Sequence, residues 1–199
     1  MHNNLNQICM MLMSLLTLAA PAELIRETRT TGTTRDGNRE WTATHQGPRG
    51  REAITRGQAS RTDDGRQWRT VTERRDREGN LRTCVVEGTA TRGESYDGLP
   101  VIHRQWTRTR ADGTVIHGQS ETIVMRTEQG RSWQTVGTRT GPDGERSFEG
   151  SGNARREGDT RVWQATRQGE ARDGRTWRSE TSGRGEGGSW ESTTRRQRQ

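Results

Sequence analysis

The sequence predicts an all-β protein: an extended antiparallel up-and-down meander of repeated hairpins, preceded by a signal-peptide helix. Small turn sites recur at Gly37, Gly50, Gly65, Gly79, Gly93, Gly113, Gly130, Gly144, Gly158, Gly174 and Gly187. The step between them is mostly about 13 to 16 residues, a fixed period of the kind that meandering or stacked units produce. A large apolar residue follows most of these turns within a few positions: Trp41, Ile54, Trp68, Trp133, Phe148, Trp163, Trp177 and Trp190. Ser or Thr then alternates with other residues, as in Trp68-Arg69-Thr70-Val71-Thr72, a composition that suits a pleated, half-exposed surface.

The elements follow in chain order. Residues 1–22 read as a secretory signal, with an apolar run from Ile8 to Ala20 too short to span a bilayer comfortably. Ala20-Pro21-Ala22 supplies the small-x-small cleavage site, so the mature chain is expected to begin at Glu23 and to be secreted or periplasmic. Cys9 leaves with the signal, which strands Cys84 beside Val85 and Val86 as a buried small hydrophobe or an intermolecular bridge. Residues 23–190 form the hairpin-repeat domain. Its turns are marked by Asp36-Gly37, Asp64-Gly65, Asp97-Gly98, Asp112-Gly113, Asp143-Gly144 and Asp173-Gly174, pairs that tolerate the positive φ of a tight hairpin. The rhythm stretches between Gly93 and Gly130, where Val101, Ile102, Val115, Ile116, Ile123 and Val124 mark the best-packed centre. Residues 191–199 read as a flexible basic tail.

A β-solenoid is the alternative architecture. Solenoids need an apolar inner ladder, and the inner positions here would carry Arg, Glu and Gln, which favours the meander. An open meander leaves two edges available for self-association. The hydrophobic content of 25% and mean hydropathy of -1.21 place the chain near the disordered end of the scale, so a largely disordered chain without a specific activity is a further reading. Cross-strand Arg–Glu, Thr–Thr and Arg–Trp pairs are the expected source of cohesion.

All 33 basic residues are Arg, set against 26 acids for a net charge of +7. Arg offers a planar fork for phosphate, sulfate or carboxylate and stacks on aromatic rings. The candidate binding residues are Trp68, Trp106, Trp133, Trp163 and Trp177 with neighbouring Arg69, Arg104, Arg108, Arg131, Arg161 and Arg178. For an exported protein the corresponding partners are anionic glycans, lipopolysaccharide or extracellular DNA.

No catalytic motif is recognisable and no cofactor is implied. There is no Gly-x-Ser-x-Gly elbow, no His-Glu-x-x-His and no phosphate loop. His103 and His117 end two Val-Ile-His triplets; held in register with Glu121 or His45 they would make a metal site, the basis of an alternative reading as an envelope metal-binding protein or enzyme. Thr-x-Thr triplets at Thr42, Thr70, Thr89, Thr107 and Thr138 resemble those of ice-binding β-solenoids, although Arg flanks nearly every one.

The strand Thr138-Arg139-Thr140 leading into Gly141-Pro142-Asp143-Gly144 resembles the Thr/Gly-rich hairpin repeats of uncharacterised exported bacterial proteins. The resemblance implies an exported β-repeat and carries no activity with it. The expectation is an exported non-enzymatic protein with a structural or adhesive role at the cell envelope, binding polyanions through Arg and Trp.

Overall fold

The computed structural model describes residues 23–198 apart from Arg172; the expected signal and its cleavage site at Ala20 and Ala22 lie outside the described residues. Twelve antiparallel strands follow one another in sequence: β1 (Glu23–Arg35), β2 (Asn38–Gln46), β3 (Glu52–Thr62), β4 (Gly65–Arg75), β5 (Leu81–Glu94), β6 (Pro100–Thr109), β7 (Val115–Thr127), β8 (Gly130–Gly141), β9 (Gly144–Glu157), β10 (Thr160–Glu170), β11 (Thr176–Glu186) and β12 (Ser189–Arg198). Each pairs with its sequence neighbours, and β12 returns to pair with β1.

The meander is therefore closed into a barrel, which corrects the open sheet and removes the solenoid. Two features close it. Twelve twisted strands accumulate enough rotation to bring first and last together. The segment expected as a basic tail is itself strand, with Thr194 opposite both Thr28 and Thr181, and Arg195 bonded to Glu27 across the seam. Closure gives each of the twelve described strands a neighbour on both sides, so none of them is an open edge.

Pairing followed from Arg82 through β4, β3, β2, β1 and onward returns to β5 beside Glu94, a stagger of one residue per strand. Such a stagger tilts the strands and sets a backbone radius of roughly 11 Å, wider than the eight-stranded barrels whose interiors side chains just fill.

One rim carries tight turns at Asp36-Gly37, Asp63-Asp64, Gly158-Asp159 and Gly187-Gly188. The other, the terminal rim, carries the ends Glu23 and Arg198. Asp76, Ser95, Arg110 and Ala171 open loops of one kind. In each, the first N–H donates to the carbonyl four residues on, and the Gly three residues on (Gly79, Gly98, Gly113 or Gly174) donates back from a φ of 71–86°. Here only glycine turns the corner without strain. Gly93, read as a turn from sequence, lies within β5; the hairpin turns at Gly98 instead.

Strand alternation splits the side chains into two faces. The inward face is identified by Arg26 on β1 and Arg108 on β6, nearly opposite on the ring yet within range of each other's charge. Only side chains pointing at the axis can meet that way. On the same face lie the buried residues Ala43, Thr55, Thr122, Thr135, Ala154 and Trp177. Ile54, expected as an anchor, is outward and 41% exposed.

The Trp residues and Phe148 line the inner wall, each against a strand glycine on a neighbouring strand, whereas Tyr96 is exposed in the loop after β5. Trp41 covers Gly57, Trp68 covers Gly88, Trp106 covers Gly118, Trp133 covers Gly152, Trp163 covers Gly183 and Trp190 covers Gly32. A Cβ at Gly118 would stand 2.0 Å from Trp106 Cζ2, and one at Gly57 would stand 2.2 Å from Trp41 Cε2. Between the aromatics run hydroxyl ladders: Thr55 to Thr72 at 2.7 Å, Thr122 to Thr135 at 2.9 Å and Thr181 to Thr194 at 2.8 Å. The chain thus builds a barrel from few aliphatic residues, by seating indoles on glycines and by pairing buried hydroxyls with one another.

Candidate functional site: the arginine-lined lumen

The two faces sort charge differently. On the outside, Arg and acids neutralise each other across neighbouring strands. Arg56 meets Glu73 at 2.8 Å, Arg69 pairs with Glu87, Arg184 pairs with Glu191, and Glu27 accepts from both Arg29 and Arg195 at 3.2 Å. These pairs are half or more exposed on the Arg side, and each contributes little, about 0–1 kcal/mol. An outer groove of about 1070 Å³ crosses β2 to β9 past Gln58, Gln67, Arg69, Glu87, Gln105 and Gln119; Arg69 is paired with Glu87 in it, and Glu40 and Glu145 add acid.

On the inside the strands present many Arg and, among the described residues, one strand acid, Glu94 at the end of β5 by the opposite rim. Near the terminal rim, Arg26, Arg108, Arg139 and Arg196 converge from β1, β6, β8 and β12. Near the opposite rim, Arg39 lies within charge range of Arg66 and Arg161, which come from β4 and β10. Arg104 and Arg167 face each other between these groups.

Arg82 and Arg198, at the ends of β5 and β12, reach the loop acids Asp76 and Asp173, whereas the partners of Arg139, Arg104, Arg167 and Arg196 are neutral. Arg139 donates to the Glu170 carbonyl at 2.7 Å, Arg104 donates to Thr122 Oγ1 at 2.7 Å, and Arg167 lies 5.1 Å from the Phe148 ring centroid. Arg196 lies 4.0 Å from the Trp177 ring centroid, with its Nε buried and unbonded; Arg66 Nη1 and Arg198 Nε are likewise buried without a partner. Burial, then the charges of Arg139, Arg26, Arg108 and Arg167, push the Arg196 guanidinium down to about 10. Burial followed by like charge also lowers Arg26, Arg39, Arg104 and Arg139, whereas burial alone lowers Arg167. Guanidinium groups gathered on one face with largely neutral partners concentrate positive charge there.

The residues expected from sequence divide accordingly. Trp68, Trp106, Trp133, Trp163 and Trp177 all face inward, as do Arg104, Arg108, Arg131 and Arg161. Arg69 and Arg178 face outward and are committed to Glu87 and Glu180. Arg26, Arg39, Arg139, Arg167 and Arg196 were missed, although the signal was present: each inward Arg stands an even number of positions from an inward-facing aromatic or Thr of its own strand.

His103 and His117 do not meet. Both are outward, but His103 lies opposite Glu121 and His117 opposite Thr107, four positions apart along β6 and β7, roughly 13 Å. Among the described residues no group of His, Cys, Asp or Glu is arranged to hold a metal ion. The Thr-x-Thr triplets form no common ladder: Thr70 and Thr72 face inward, and the other four face outward without lying opposite one another. Cys84 is inward, opposite Thr72, and half-buried.

Among the described residues His45 is the one inward histidine. Its Nδ1 lies 2.9 Å from Thr28 Oγ1 and its Nε2 lies 2.7 Å from Thr55 Oγ1. A neutral ring donates to one hydroxyl and accepts from the other; a charged ring can only donate. Burial, then the charge of Arg26, lowers its pKa below 6.5. The folded state therefore resists protonation that the unfolded chain accepts. This contribution to stability is complete above pH 6.5 and is lost as pH falls from there through the folded value. The melting temperature is expected to drop as pH goes from 7 toward 5, and His45→Gln to flatten that part of the curve. An unchanged slope in the variant would show that the ring is not held neutral.

Comparison with known proteins places this barrel in no family: no family model, curated protein or solved structure matches the chain.

Proposed function

We propose that the protein is an exported, non-enzymatic anion-binding barrel of the cell envelope, taking its ligand into the lumen. The observation that carries this reading is the segregation of charge. Most strand acids sit outside, several of them paired with Arg, while the inward Arg26, Arg39, Arg104, Arg108, Arg139 and Arg196 make no ion pair with an acid among the described residues. The outer face cannot serve a polyanion equally well, because Arg69 and Arg178 would have to leave Glu87 and Glu180. The same outer ion pairs, spread along the strands, suit water better than lipid, where a charged side chain near the bilayer midplane costs about 2–4 kcal/mol. The indole walls add sugar- or ring-stacking surface beside the charges.

The test is binding of heparin and of short oligophosphate to the purified protein across a salt series, with Arg69→Gln/Arg178→Gln as the outer-face variant. Lumenal binding predicts that the short anion binds, persists near 0.3 M salt, and is unaffected by the outer-face variant. Contacts by exposed charge alone fall steeply over that range. If only the long polymer bound, and the outer-face variant lost it, the adhesive outer surface would replace the lumen as the functional site.

A further inference from the structure

We infer that the terminal-rim end of the lumen is a site for a compact, multiply charged tetrahedral oxyanion, a phosphate or sulfate ester or a short oligophosphate, bound by Arg26, Arg108, Arg139 and Arg196. The inference deepens the lumenal reading and rests on it.

Four features assign the class. First, the guanidinium groups arrive from strands spaced around the ring, β1, β6, β8 and β12, so their donors approach one volume from different directions. A planar carboxylate engages one or two guanidinium forks in its own plane; a tetrahedral oxyanion presents oxygens on all sides and accepts several. Second, the charge is not offset: no ion pair joins any of the four to an acid among the described residues, and Arg139 is held by a neutral carbonyl. Third, Arg196 keeps a buried, unbonded Nε while its plane rests on Trp177, itself only 6% exposed. That stack fixes the guanidinium without using its N–H groups. Fourth, the site sits by the wider loops, next to the rim, where an entering ligand meets it before the indole belt.

The opposite end holds a second arginine group, in which Arg66 also keeps a buried, unbonded Nη1 but, among the described residues, no guanidinium lies over a ring. Arg39, Arg66 and Arg161 come from β2, β4 and β10, and the two groups lie about eight positions apart along β1 and β2, roughly 26 Å of strand. A compact anion cannot span both, so one end must hold it.

The experiment is calorimetric titration of the purified protein, Arg26→Gln/Arg108→Gln and Arg39→Gln/Arg161→Gln with two probes, inorganic tripolyphosphate and a disulfated disaccharide. Circular dichroism on each variant establishes that it has folded. The expected result is at least a hundredfold loss of tripolyphosphate affinity in the terminal-rim variant and less than a fivefold loss in the other. Binding of the disaccharide with the same pattern would assign esterified groups; tripolyphosphate alone would assign free oligophosphate. Equal losses in both variants, or a loss confined to Arg39→Gln/Arg161→Gln, would overturn the assignment while leaving lumenal binding intact. No binding of either probe by the wild-type protein would overturn both readings. Should the Gln variants fail to fold, Arg26→Lys/Arg108→Lys keeps the charge and removes the fork; it is expected to lose at least tenfold, and full retention would refute the site.

Discussion

Gly118→Ala is expected to destabilise the barrel by about 3 kcal/mol, far more than an Ala-for-Gly change in an ordinary strand. The reason is contact. The added Cβ would stand 2.0 Å from Cζ2 and 2.1 Å from Cε2 of Trp106, distances no side chain sustains. Trp106 cannot retreat toward the other neighbour, because it also lies opposite Gly88, whose own missing Cβ would meet Trp68 at 2.4 Å. Rigid strands on both sides leave the indole to rotate into the lumen and lose its seat. Chemical denaturation of Gly118→Ala, Trp106→Ala and the double variant provides the check. A seated indole predicts strong coupling, with the double variant little worse than Trp106→Ala alone. Additive losses, or a neutral Gly118→Ala, would mean that the glycine serves the backbone only.

That coupling explains why part of the fold was legible in the sequence and part was not. Turn chemistry is local, and Asp36-Gly37, Asp112-Gly113 and Asp173-Gly174 announce their corners within two residues. Thr and Trp alternation announces strands for the same reason. Closure is not local. It depends on β12 reaching β1, and the run Arg195-Arg196-Gln197-Arg198 looks like a solvated tail until Glu27 and Thr28 are brought beside it. The glycines at 32, 57, 88, 118, 152 and 183 likewise look like dispensable breaks until the register puts an indole over each.

The site was half legible for a related reason. Arg beside Trp in sequence suggests a shared surface, but adjacent strand residues face opposite ways. Arg69 and Arg178, each next to a Trp, are for that reason on the outside. Arg104 and Arg108, two positions either side of Trp106, are inside with it. The net charge of +7 conceals the asymmetry, since the acids are spent on the outer face. Period-two parity relative to Trp separates structural from available arginines; proximity in sequence does not.

Arg196→Met is expected to stabilise the ligand-free barrel and to weaken anion binding, a pairing that a merely structural arginine would not show. Met is unbranched and long enough to keep a contact with Trp177, and it removes a buried Nε that has no partner. It also removes one of several like charges, which add to burial in pushing this guanidinium down to about 10. Replacing a poorly compensated charge by an apolar residue of similar volume is often stabilising, here by about 1 kcal/mol, since the guanidinium is only partly buried and screening moderates the repulsion. The gain should be largest at low salt and shrink as salt is added. In the wild-type protein tripolyphosphate should raise the melting temperature through mass action, and in Arg196→Met the same concentration should raise it much less. Thermal melts at two salt concentrations, with and without the anion, measure all four corners. A less stable variant with an unchanged anion response would make Arg196 a packing residue of Trp177. A more stable variant with a reduced response would show that the barrel bears the cost of its converging charges in order to bind.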